Sequence, residues 1–307
     1  MGSSVPHPNP SDEPTLFHYT SAAGLIGIIQ NRELWATESN YLNDPSEVSF
    51  ASTVLISRLN ERIGRGVSEN ELHTAQAAIA LLEQAYVDPN SREQYLEDRA
   101  FITSFSRSDR SFTLWRMYGG RNGFSIGFDE ERLGEWVGLG CPSSSEGVGN
   151  GIEETEKLDA FEANFHLEAR IQDVSYGAAP VDSILDDVME LSSEDPSLHL
   201  QEGRLREVLK RLSAVKHDAF ADEREARLVL QAQGHHAADP SIRVSATGAL
   251  VAYRKLVFPF EAVRSITISP GTNVSQTRHA IGSLLVSGGR GPWGHVEIRE
   301  YDIPFVW

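Results

Sequence analysis

Three stretches carry the residue types that do chemistry. They are His18-Tyr19-Thr20 near the N-terminus, the central run Leu114–Asp129 (LWRMYGGRNGFSIGFD), and Glu223-Arg224-Glu225-Ala226-Arg227 late in the chain. Together they supply a histidine that titrates near neutral pH, aromatic rings that stack on planar ligands (Trp115, Tyr118), and paired carboxylates. Carried on strands, that set suits a sugar-nucleotide site.

Each feature also has a purely structural reading. His18 on an apolar strand reads equally as a core histidine satisfied by backbone. Trp115 and Tyr118, three apart, read as core anchors, and Gly119-Gly120 as the end of a helix. The Glu-rich run reads as a solvated charge cluster, or as an ion pair of Glu225 with Arg227 or Lys216. If a strand runs from there into Leu228 and Leu230, alternation brings Glu223, Glu225 and Arg227 to one side. That alignment favours Glu225 as a site residue. Asp44 and Glu47 fit a capping box with Pro45 at the first helical position. Asn43 has no such role beyond tolerating a turn.

The elements that must position these residues follow from periodicity. Strands are expected at Leu16–Tyr19, Glu33–Thr37, Ala100–Ser106 and Phe124–Asp129, then at Leu167–Val174, Arg227–Gln233, Leu250–Phe258, Ser265–Ser269 and His295–Tyr301. A helix capped by Thr20 or Ser21 carries Leu25, Ile28 and Ile29 on one face and ends near Asn31. Two amphipathic helices follow, through Val48–Leu59 and Leu72–Tyr86, with further helices at Pro180–Leu191, Gln201–His217 and Val274–Val286. Strands at both ends flank a helical middle without repeats or regular βαβ alternation, which predicts an α+β fold. Residues 1–14 read as a disordered lead-in and 15–307 as a single α+β domain, with a mobile Gly/Ser-rich loop at Gly138–Gly151.

Composition narrows the function. The chain has 307 residues, enough for a substantial core, and a formal net charge of -17, which disfavours non-specific binding to nucleic-acid backbones. No apolar run approaches the roughly 18 residues of a membrane helix, and the N-terminus lacks a secretory pattern, so a cytoplasmic protein is expected. Cys141 is the single cysteine, which leaves no disulfide framework. His235-His236 has no neighbour at ligand spacing, and no metal is expected. There is no nucleophile elbow and no phosphate-binding loop, and Gly119–Gly123 is wrongly ordered for a dinucleotide fingerprint.

In its ordered motifs the chain resembles the bacterial domain-of-unknown-function family 2971. These are His18-Tyr19-Thr20, Leu34-Trp35-Ala36, Asn43-Asp44-Pro45 with Glu47, Ser104-Phe105-Ser106, Leu114-Trp115 with Tyr118, Gly123–Asp129, Lys216 with Glu223–Arg227, and Ile266–Gly271. Phe220 stands where that family usually has tryptophan. More distantly, the layout is similar to that of ADP-ribosyltransferases. That resemblance implies a split β-sheet core with helical insertions, NAD as substrate, and a late glutamate that stabilises an oxocarbenium-like transition state as the nicotinamide glycosidic bond breaks. By the same resemblance, His18 holds a ribose with Thr20 in support beside Tyr19, and Tyr118 packs on nicotinamide with Trp115 or Tyr41 as rivals. Asn43 joins the cofactor-binding set, and Ser104 and Ser106 order the second wall. Glu225 is the catalytic carboxylate, Glu223 orients the acceptor, and Arg227 anchors a phosphate or pins a carboxylate.

The expectation is therefore a mono-ADP-ribosyltransferase, of the kind used in bacterial toxin or defence systems. It would have a protein or nucleic-acid acceptor and a neutralising partner protein. The alternatives are NAD hydrolysis at the same site or a non-catalytic nucleotide-binding or sensor module. On this reading Glu225→Gln removes turnover and leaves folding untouched.

Overall fold

A computed structural model describes residues 15–41, 45–83, 100–138, 167–193, 198–232, 240–245, 248–269, 273–287 and 295–301. Its strands, in chain order, are β1 (Thr15–Thr20), β2 (Glu33–Glu38), β3 (Ala100–Ser106), β4 (Phe124–Asp129), β5 (Leu167–Asp173) and β6 (Ser175–Tyr176). They continue with β7 (Val215–Lys216), β8 (Glu225–Ala232), β9 (Ser241–Val244), β10 (Leu250–Val257), β11 (Val263–Ile268) and β12 (Glu297–Glu300). All but β6 and β7 join one ten-stranded sheet, antiparallel except where β12 runs parallel to β11. The chain is α+β, as periodicity implies.

The sheet divides at β3. One edge of β3 is paired along its whole length with β8, from Ala100↔Gln231 to Ser106↔Glu225. The other edge is shared: β1 meets it only at Phe17↔Ser106, and β2 only at Thr37↔Ile102 and Glu38↔Phe101. From there β1 leads away into β4, β11 and β12, while β2 leads into β10 and β9. Thr103, Ser104 and Phe105 lie between the two branches, where a cleft opens.

Strand alternation sends alternate residues to different surroundings. Leu16, Leu34, Ala36, Phe101, Phe105, Phe128, Ala226 and Leu228 point to one side. There they form the main core, with Leu25, Ile28 and Ile29 of α1 (Ala22–Asn31) and Ile281 and Leu285 of a late helix (Val274–Ser287). A second core is built mainly from helices: α2 (Pro45–Gly64), α3 (Glu69–Leu82), α4 (Ala179–Glu190) and α5 (Leu198–Lys210) bury Leu55, Leu59, Leu82, Val181, Ile184 and Leu205 together. No described helix is long and apolar enough to cross a membrane.

Two departures from periodicity bear on the site. The helix expected through His217 stops at Lys210, a 3₁₀ turn follows over Arg211–Ala214, and Val215–Lys216 is extended against β6. Val215 still faces the helical core, so the apolar stripe continues while the backbone does not. The short strand β9 carries half-polar residues with Ile242 and Val244 exposed, and its extended form comes from pairing with β10.

Candidate functional site

Trp115 and Tyr118 have separate jobs. After a short helical turn capped by Ser111, Trp115–Gly119 is π-helical, an irregularity that shifts side chains off the usual spacing. Trp115 is fully buried, edge-on to Tyr19 at 5.1 Å between ring centres, and its indole N–H donates to the Asp109 carbonyl at 3.0 Å. Tyr19 donates its hydroxyl to the Ser108 carbonyl (2.7 Å) and accepts from the Ser111 amide (3.1 Å). Burial accordingly raises the Tyr19 phenol pKa. This locked pair presents Tyr118, which is 41% exposed. Gly120, at φ +58, ends the turn by donating its amide to the Trp115 carbonyl. Trp115 is thus a core anchor, which removes it from the ligand-contacting residues expected from sequence.

The carboxylates sit in a buried ion network. β8 begins at Glu225, so Glu223 lies outside the strand, at the end of a 3₁₀ turn. Arg224 between them adopts the left-handed conformation (φ 43), and both glutamates reach Lys216. Lys216 Nζ is 3.0 Å from Glu223 and 2.7 Å from Glu225, and Arg227 grips both oxygens of Glu225 at 2.8 and 3.0 Å. All four side chains are nearly inaccessible. Burial opposes ionisation of Glu225, but the Arg227 guanidinium and the Lys216 ammonium outweigh it and hold the carboxyl below its ordinary range. Phe220 lies under Lys216 Nζ, 5.4 Å from the ring centre, so the departure from tryptophan touches the network through a cation–π contact. Ser106 donates its hydroxyl to the Glu223 carbonyl at 2.6 Å, which fixes the turn beneath the carboxylates.

His18 closes the gap where the sheet divides. Its Nδ1 is 3.0 Å from the Ser104 carbonyl, which lacks a strand partner there, and its ring stands edge-on to Phe105. A carbonyl only accepts, so Nδ1 carries the proton and Nε2 is left as an acceptor. Burial holds the His18 pKa below 6.5, with the Ser104 bond opposing it in part. Because the folded value is the lower, neutral His18 contributes stability that is complete above about pH 6.5 and lost as pH falls toward the folded value. An NMR titration is expected to give a His18 midpoint below 6.5 with Nε2 unprotonated at neutral pH. A midpoint above 6.5 would contradict this burial.

These parts surround one cavity of about 700 Å³, ample for a small-molecule ligand. His18 and Thr20 reach it from the main-core side. Ser104, Glu225 and Arg227, which strand alternation puts on the other face, line it too, with Tyr19, Tyr118 and Glu223 also on its wall. Ser106 and Trp115 support it from behind. Tyr41, 47% exposed, is not on its wall, and Asn43 lies outside the described residues. The cavity also takes in residues that sequence did not assign to a site: Lys216, Gly27, Trp35, Thr37 and Arg243. A cue existed for Lys216 and Trp35, which stand in the motifs that carry the resemblance read from the sequence. None existed for Arg243 on its short irregular strand. Among the described residues, no group of three or more histidine, cysteine, aspartate or glutamate residues is placed to hold a metal ion.

Fold and site together define an α+β protein with a ligand-sized cleft in a divided sheet. Residues 114–228 match the model of a family described as a protein of unknown function, DUF2971. The matched segment contains Tyr118, Lys216, Glu223, Glu225 and Arg227, while His18 and Arg243 lie outside it. No curated protein matches the chain, and no solved structure does.

Proposed function

We propose that the cleft binds NAD and that the protein is a mono-ADP-ribosyltransferase. One observation carries this reading: His18, Thr20, Ser104, Tyr118, Glu223, Glu225 and Arg227, from distant parts of the chain, line a single cavity at the division of the sheet. Nicotinamide would leave with the electron pair of the glycosidic bond, and positive charge would develop on the ribose. A carboxylate held ionised in a water-poor site stabilises such a charge. The acceptor nucleophile would then bond to the same ribose carbon and lose its proton. His18 Nε2 would accept a hydrogen bond from a ribose hydroxyl, Tyr118 would cover the nicotinamide, and Glu223 would orient the acceptor.

A second reading, a nucleotide-binding or sensor module, has its own support. Both oxygens of Glu225 are already engaged by Arg227 and Lys216, which weakens the field available to a ribosyl cation.

Free nicotinamide, followed after incubation of purified protein with NAD, tests the two. Release by protein alone indicates transfer to water, and release that requires cell extract indicates a macromolecular acceptor. NAD-induced thermal stabilisation without release under either condition selects the binding module; at a hundredfold excess over Kd it amounts to about 2.7 kcal/mol. Gly27→Leu is the blocking control. A side chain there meets nothing within 4 Å and enters the cleft wall. The variant should gain up to about 1 kcal/mol of helix propensity and lose both release and stabilisation. If NAD neither stabilises the wild type nor is cleaved, the transferase reading fails and a binding module would have to take a different nucleotide.

A further inference from the structure

We propose that Arg243 is the anchor for a phosphate group of the bound ligand. This rests on the cleft being the nucleotide site and is independent of whether a glycosidic bond is broken there. Arg243 projects from β9 across β10 toward β2. Its guanidinium carbon lies 5.8 Å from the ring centre of Trp35 and 5.9 Å from that of Tyr253, rings that are themselves 4.8 Å apart. One terminal nitrogen donates to Thr37 Oγ1 at 2.9 Å. The group is thus held against two aromatic rings and a hydroxyl, with little side-chain freedom left to lose on binding.

Among the described residues its charge has no carboxylate counterpart. The cleft's other cations, Lys216 and Arg227, are paired with Glu223 and Glu225, and Glu33 is paired with Lys255 at 3.3 Å. Among the described residues, no carboxylate pairs with Arg243, and its Nε is buried without a hydrogen-bond partner. A chain of net charge -17 has thus placed on the wall of this cavity a guanidinium with no carboxylate partner among the described residues. A buried N–H without an acceptor is costly, and a phosphate presents oxygens at the spacing of the guanidinium fork. Trp35, 47% exposed and on the same wall, offers a ring face beside the anion. A phosphorylated nucleotide satisfies both features.

Calorimetric titration of the full chain with adenosine, ADP and inorganic pyrophosphate tests the assignment. ADP is expected to bind about ten- to a hundredfold more tightly than adenosine, in keeping with charge-assisted hydrogen bonds, and pyrophosphate should compete with it. Arg243→Gln should erase the preference, and Arg243→Lys, which keeps the charge without the fork, should retain part of it. Equal affinity of the wild type for ADP and adenosine would overturn the proposal. So would a preference that survives Arg243→Gln, or failure of all three probes to bind at millimolar concentration. An intact phosphate preference without nicotinamide release would remove only the transferase reading.

Discussion

Arg227→Met is expected to lower the free energy of unfolding by about 3–5 kcal/mol, the usual penalty for breaking a buried ion pair from one side. Arg227 is 2% exposed, holds both oxygens of Glu225, and donates to the Ser213 carbonyl at 2.5 Å. Without it, Lys216 alone faces two buried carboxylates. Urea unfolding, with the slope compared between proteins, gives the difference. The pH dependence adds a second signature. In the wild type the folded pKa of Glu225 is depressed, so its contribution is complete above the unfolded value and is lost as pH falls through the lower folded value. In the variant the carboxyl loses its main cationic partner, and burial favours protonation. The deficit should therefore be greatest at neutral pH and should shrink as pH falls toward the ordinary glutamate value of about 4.3. A loss under about 1 kcal/mol would mean that solvent reaches the network.

Glu225→Gln should reduce nicotinamide release by about 10²- to 10³-fold, the scale on which one preorganised electrostatic group acts. Read from sequence, the substitution spares folding, but the buried network reverses that expectation. Glutamine at 225 takes from Arg227 the carboxylate it grips and leaves Lys216 only its contact with Glu223 of the two carboxylates, and the variant should melt earlier than the wild type. Arg227→Met added to Glu225→Gln leaves one cation and one carboxylate, Lys216 and Glu223, paired at 3.0 Å. The double variant should recover much of the melting temperature without recovering release. Recovery of both would assign Glu225 a structural role and favour the binding module.

The parts of this molecule legible in the sequence are those set by neighbours along the chain. β3 and β4 run over the residues that alternation marks, and β1 and α1 agree within a residue at their ends. Ser21 is the cap of α1 because its hydroxyl reaches the Gly24 amide three residues on. The alignment of Glu225 with Arg227 is likewise a property of one strand, and their bidentate contact follows from a two-residue spacing.

Spacing could not separate Trp115 from Tyr118, because a π-helical turn replaces the regular helix that i, i+3 reasoning assumes. Nor could it decide between His18 as a satisfied core residue and as a site residue. The structure gives it both attributes, since its Nδ1 is satisfied by a backbone carbonyl while the ring lines the cleft. The pairing of Ser104 with Arg227 across 123 positions, and the reach of Arg243 to Thr37 across 206, depend on which strands lie side by side. By itself the sequence determined most of the strands and helices, the capping of α1 and the chemical character of the candidate groups, because local sterics and alternation act over a few residues. Only the tertiary structure decided where the sheet divides, which side chains share the cleft and which cation there has no carboxylate among the described residues. Strand order and register are set by burial and pairing between segments far apart in the chain, and local periodicity carries no record of them.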